Sequence, residues 1–115
     1  MISIILRRPP YGDINAAEAV RHAMGAVSDD IKVSLIMYDS GVLTAKKGQD
    51  MTGSGFTSLG DALKDCVEMG IEVYAEKASL MSERLREEDI IEGVRVSDGA
   101  ALAEIIKESS KTLIF

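Results

Sequence analysis

Apolar runs of strand length alternate along the chain with segments that repeat at the helical period. Ile2 to Leu6 is continuous, with three isoleucines, as expected of a strand buried on both faces. Pro9 and Pro10 end it, because proline cannot donate to a ladder. Asn15 with Glu18 three residues later predicts a capped helix start. Ala17, Val20, Met24 and Val27 then mark its expected buried face, and Ser28-Asp29-Asp30 closes it. Val33 to Tyr38 is the second strand.

A long connection, Asp39 to Phe56, follows, with glycines at 41, 48, 53 and 55 and a short helical turn expected over Val42 to Ala45. Connections of this length often serve binding or assembly. Ser58 with Asp61 opens the next helix, in which Leu59, Ala62, Leu63, Cys66 and Val67 form one stripe. Gly70 suits a left-handed stop, and Ile71 to Ala75 is the third strand. A short helix around Leu80 to Leu85 leads into the charged stretch Arg84 to Asp89, expected to be solvated. Val94 to Val96 is the fourth strand. Asp98 caps a helix carrying Leu102, Ile105 and Ile106, and Thr112 to Phe115 is the fifth strand. Strict alternation of strand and helix predicts an α/β fold: a parallel sheet covered on both faces, with right-handed crossovers.

Composition narrows the function classes. The 115 residues make one domain, 1–115, and 46% hydrophobic content is enough for a core. Thirteen Lys and Arg against 19 Asp and Glu give a net charge of −6, which disfavours nucleic acid. A single Cys and a single His exclude an internal disulfide framework and Cys-rich zinc sites. No apolar run approaches the roughly 20 residues of a membrane span. The first charges, Arg7 and Arg8, follow the apolar run rather than precede it, unlike a signal peptide. The expected location is cytoplasmic.

Ligands of open parallel sheets gather at the carboxyl ends of the strands. The loops expected there are Arg7 to Gly12, the one opening Asp39-Ser40-Gly41, Glu76 to Ser79, and Ser97-Asp98-Gly99. None carries G-x-G-x-x-G or a phosphate-loop lysine motif. Arg7 and Arg8 either bind an anion or pair with the surplus carboxylates, and pairing is the favoured reading. Thr52 to Ser58 either holds phosphate at a helix start or is a flexible loop with an ordinary cap, the latter favoured. Cys66, on an apolar helical face, reads as a buried small hydrophobe. His22 reads as solvent-facing, and the six methionines as gap-fillers in the core or an interface.

The opening Arg7-Arg8-Pro9-Pro10-Tyr11-Gly12, followed by Asn15-Ala16-Ala17-Glu18, resembles the DsrE/DsrF family, particularly its TusC/DsrF branch. Gly70-Ile71-Glu72-Val73-Tyr74-Ala75, Ser79-Leu80, Asp89 to Val94, Ala101 to Glu104 and Leu113-Ile114-Phe115 are similar to later family segments. The resemblance implies a three-layer α/β/α sandwich with a five-stranded parallel sheet, assembled as trimers, hexamers or hetero-hexamers. It implies a place in sulfur relay, where carrying members keep a cysteine just after the third strand. Glu76 falls at that position here, and TusC/DsrF-type subunits work without that cysteine, as partners of a subunit that has it.

Three readings follow. The leading one is a non-catalytic accessory subunit, a homo-oligomer (trimer or hexamer) or a hetero-oligomer with DsrE-like sister subunits. The second is a small-molecule or anion-binding homo-oligomeric module. The third is an enzyme with Asp39 or Glu76 as general base. The candidate ligand- or partner-binding residues are Tyr11, Gly12, Asp39, Gly41, Glu76, Lys77 and Ser79. No catalytic residue, metal or cofactor is assigned.

Overall fold

The computed structural model describes residues 1–55 and 58–115. Five strands, β1 (Ile2–Leu6), β2 (Val33–Met37), β3 (Glu72–Glu76), β4 (Arg95–Ser97) and β5 (Lys111–Ile114), form one sheet. Every pairing is parallel and the order is β4-β3-β2-β1-β5. Between them lie α1 (Asn15–Ser28), α2 (Leu59–Glu68), α3 (Lys77–Ser82) and α4 (Gly99–Glu108). The 3-10 turn expected near Val42 runs over Asp39–Ala45, and another spans Glu87–Asp89. Connections β1 to β4 step one way across the sheet, and the last steps back past β1. Right-handed crossovers then put α1, α2 and α3 on one face and α4 on the other.

The two faces are unequal. Ile4, Leu6, Leu35, Met37 and Val73 pack with Leu63, Cys66 and Leu80 into the main core. On the opposite face Ile36, Tyr74 and Leu102 form a smaller buried cluster, with Tyr38, Ile105 and Ile106 at its margin. The end of α4 is pinned under β1 by a hydrogen bond of 2.5 Å between Ser3 Oγ and Ser109 Oγ. The Ser110 N–H donates to the Met1 carbonyl at 2.9 Å. Strand β5 is left as an exposed edge.

Several local expectations shift. The buried stripe of α1 is Ala16, Ala19, Val20 and Ala23, while Ala17 is exposed and Met24 and Val27 are half-buried. Three alanines let the helix lie close to the sheet, and the bulkier residues fill its flanks. Asn15 and Glu18 do not form the capping pair. The Asp13 carboxylate instead accepts the Asn15 N–H at 2.7 Å, satisfying a first-turn donor from two residues upstream. Helix α3 starts at Lys77, directly after β3, rather than near Leu80. The caps of α2 and α4 are as expected: Ser58 accepts from the Asp61 N–H at 3.3 Å and Asp98 from the Ala101 N–H at 2.8 Å. Phe56 and Thr57, part of the long connection and of the candidate anion loop, lie outside the described residues.

Gly41 is fixed by close packing. A Cβ there would stand 2.2 Å from the Leu6 carbonyl oxygen and 2.8 Å from its carbon, so the turn can rest on the end of β1 only without a side chain. Gly41→Ala is expected to destabilise the fold by at least about 2 kcal/mol. Gly25→Ala, in the open middle of α1 with nothing within 4 Å, is expected to stabilise it by about 0.5–1 kcal/mol. Urea unfolding of the two variants gives both signs directly.

Candidate functional site

The carboxyl ends of β1, β2 and β3 are joined by one polar chain. Arg7, just past β1, donates from Nε to the Asp39 carboxylate at 3.0 Å. Asp39, just past β2, has a left-handed backbone with φ of 51°, a conformation that costs a non-glycine residue of order 1 kcal/mol. It is held there from both sides, since its N–H donates to Ser79 Oγ at 2.8 Å. Ser79, buried in the first turn of α3, donates its own hydroxyl to Glu76 Oε1 at 2.5 Å. Glu76 is the last residue of β3 and the N-cap of α3. Its other oxygen, Oε2, lies beside the first residue of α4: a Cβ on Gly99 would be 3.2 Å from it. A second tie, from Ser40 Oγ to Glu83 Oε1 at 3.3 Å, fastens the 3-10 turn to the end of α3.

This chain unites Asp39, Glu76 and Ser79 of the candidate set, and Gly41 lies in the same turn as Asp39, packed on the Leu6 carbonyl. Lys77 and Ala78 are exposed beside them at the start of α3. The half-buried Tyr38 phenol sits next to this carboxylate. Burial, and then the negative charge of Glu76, push its pKa above the ordinary tyrosine value, so it stays a neutral hydroxyl.

Tyr11 belongs to a different network. The Tyr11 hydroxyl donates to Gln49 Oε1 at 2.6 Å and accepts the Leu59 N–H at 3.1 Å. Gln49 Nε2 in turn donates to the carbonyls of Thr44 at 2.8 Å and Lys46 at 2.9 Å. The phenol thus ties the loop after β1 to the start of α2. Gly12 is exposed, with φ of 84°. Gln49 escapes sequence reading because its phenol partner is 38 residues away. The contact between Glu76 and the start of α4 is equally non-local.

The arginines of the first loop are paired, as favoured: Arg7 with Asp39 at 3.0 Å and Arg8 with Asp13 at 3.4 Å. His22 is exposed on α1, its Nδ1 2.7 Å from the Glu18 carbonyl. Among the described residues no group of three or more His, Cys, Asp or Glu side chains is placed to hold a metal. No helix among them is long and apolar enough to cross a membrane.

Cys66 is fully buried in α2, inside the main core and away from the polar chain. Burial, reinforced by the neighbouring Asp65 carboxylate, pushes its thiol up to about 11. The thiolate is therefore scarce at neutral pH. Native protein should react slowly with a bulky thiol reagent near pH 8, and faster as pH climbs toward 11. The fold favours the neutral thiol, so this group's contribution to stability is present at neutral pH and lost as pH rises past the ordinary cysteine value. Cys66→Ala should cost about 1 kcal/mol or somewhat more, and Cys66→Ser more still, because it buries a hydroxyl. Timed labelling and thermal melts measure these effects.

Comparison with known proteins places the chain. A sequence model of the DsrE/DsrF-like family matches residues 1–115. An uncharacterised protein of Methanopyrus kandleri is 31% identical over 115 residues, covering 100% of this chain and 93% of the relative. The intracellular sulfur oxidation protein DsrF of Allochromatium vinosum is 26% identical over 124 residues, covering 95% of this chain and 91% of that protein. The crystal structure of the ychN protein from E. coli superposes with a TM-score of 0.91 at 19% identity, over 99% of this chain and 97% of that one, a likeness of fold. With a family match over its whole length and a five-stranded parallel sheet to go with it, the chain belongs to the DsrE/DsrF-like family.

Proposed function

We propose that this chain is a non-catalytic accessory subunit of a sulfur-relay assembly, one that does not itself carry persulfide sulfur. The observation that carries the reading is Glu76. It stands where the resemblance to sulfur-carrying family members leads one to look for a cysteine, and its Oε1 is engaged by Ser79 at 2.5 Å. A relay cysteine must present a thiolate that attacks and is then attacked. A carboxylate forms no persulfide, and the one thiol of the chain, Cys66, is buried with its pKa raised. The tie of Glu76 through Ser79 to the Asp39 backbone suits a fixed surface better than a moving carrier.

The exposed apolar side chains support assembly. Ile114 is 67% exposed and Leu113 40% exposed on the β5 edge, and Met81 and Ile14 also face outward. Parallel sheets are ordinarily buried on both faces, so a second chain is the natural cover. The cover is a second copy or a cysteine-bearing sister subunit.

Two measurements test the reading. Incubated with a cysteine desulfurase and cysteine, the intact protein should gain no sulfur by mass; a stoichiometric gain abolished by Cys66→Ala would overturn the proposal. In light scattering across a dilution series the chain should form a trimer or hexamer, and Ile114→Glu should shift it to smaller species while leaving the folded circular-dichroism spectrum intact. A wild-type chain that stays monomeric at micromolar concentration would remove self-assembly and leave only the hetero-oligomer.

A further inference from the structure

Strand β5 ends the sheet beside β1, and its outer edge is open. Phe115, just past the strand, donates its N–H to the Ile5 carbonyl at 2.8 Å and accepts the Arg7 N–H at 3.0 Å, so its backbone faces β1. Backbone groups alternate in direction along a strand. Lys111 and Leu113 therefore also bond toward β1, while the N–H and C=O groups of Thr112 and Ile114 point outward, where the sheet ends. The side chains alternate as well. Leu113 stands level with Ile4 on the main-core side, and Thr112 and Ile114, level with Ser3 and Ile5, lie on the thin face.

An edge that must stay single is ordinarily blocked by proline, a bulge or inserted charges. Strand β5 holds no proline, its register against β1 runs without a bulge, and its one charge, Lys111, stands at its start. It also exposes apolar side chains, Leu113 at 40% and Ile114 at 67%. Free backbone donors and acceptors beside exposed apolar residues call for another strand, because only a strand meets both.

We propose that β5 pairs antiparallel with β5 of a second copy, across a two-fold axis at Leu113, and so joins two sheets into one. The edge is self-complementary: a two-fold rotation sets the outward donors of one copy against the outward acceptors of the other. The register follows from which groups are free. Centred on Leu113, Thr112 of each copy stands opposite Ile114 of the other, and each such pair exchanges both N–H···O bonds. Centred on Thr112, Ile114 would meet Ser110, whose N–H is already donated to the Met1 carbonyl at 2.9 Å. Centred on Ile114, Thr112 would lie past the end of the facing β5. In the chosen register the two Leu113 side chains form a non-hydrogen-bonded pair, the closer kind, and cover each other. Ile114 packs beside the Thr112 methyl, and the two Lys111 ammoniums stand at opposite ends of the pair. The inference deepens the assembly half of the proposed function and rests on that half alone. A two-fold contact builds even-numbered assemblies, so of trimer and hexamer it calls for the hexamer.

Single variants Thr112→Cys, Leu113→Cys and Ile114→Cys of the full chain, oxidised mildly and read on a non-reducing gel, test the register. The two copies of residue 113 stand about 4.5 Å apart between Cα atoms, within disulfide reach, whereas the copies of 112, and those of 114, are set two residues off. Leu113→Cys should convert to a linked pair, and the other two should stay single. Cys66 is buried and adds no background. Thr112→Pro removes an outward N–H and leaves the β1 ladder alone, so the solution mass should fall to half with the circular-dichroism spectrum unchanged. Thr112→Val keeps that N–H and should keep the mass. Linking at all three positions alike, no linking at 113, or a Thr112→Pro chain that keeps its mass would overturn the pairing. A stable trimer unlinked at 113 would do so while leaving the accessory-subunit reading intact. A gain of sulfur on Cys66 would remove that reading and leave the pairing intact.

Discussion

The carbonyl oxygen of Leu6 has no room above it for a side chain, and much of the carboxyl-end surface is arranged around that contact. The oxygen accepts the Tyr38 N–H at 2.9 Å, which joins the ends of β1 and β2. Gly41 then folds back over it, with its own N–H donating to the Tyr38 carbonyl at 2.9 Å. A chain that turns this sharply after a strand must spend a residue in an unusual conformation, and Asp39 supplies it. Once Asp39 is left-handed, its N–H reaches Ser79 and its carboxylate reaches Arg7. Those two bonds stabilise the strained residue and set the position of α3. The position of Ser79, and with it the partner of Glu76, is thus tied to the packing of a glycine in the turn after a neighbouring strand.

The sheet beneath imposes a second constraint. Three helices cover one face and one covers the other, because the chain reverses direction across the sheet only at its last crossover. A single ten-residue helix cannot shield five strands. The shortfall falls on β5, whose four residues are all exposed. A lone β-edge of this kind invites pairing or cover by another chain. The small aromatic content, 4% of the chain, deepens the shortfall, since few large side chains are available to seal the thin face from within.

Legibility in the sequence followed the range of the forces involved. Strands β1, β2 and β3 are written as mainly apolar runs because both faces are buried, and the caps of α2 and α4 are written in side chains three residues from the amides they serve. The stripe of α1 is harder to read because three of its four buried residues are alanines, which hydrophobic periodicity underweights although they let helix and sheet approach. The loops carrying Asp39, Gly41, Glu76 and Ser79 could be placed at the carboxyl ends by topology alone. Their division from Tyr11 could not, because it depends on Gln49 accepting a phenol 38 residues distant.

The polarity of the chain at Glu76 bears on what this position can become. Ser79 is buried, and its one hydroxyl proton has a fixed direction: the oxygen is occupied by the Asp39 N–H, so the proton goes to residue 76. The residue there must therefore accept. A carboxylate does so well, and charge-assisted hydrogen bonds are about twice as strong as neutral ones. A thiol is a weak acceptor, and one in its place would leave the serine proton poorly satisfied at a cost of about 1–3 kcal/mol. A thiolate would accept the proton, and the same bond would favour the charged form over the thiol. Ser79 and Asp39 thus require an acceptor at residue 76, a requirement the Glu76 carboxylate meets.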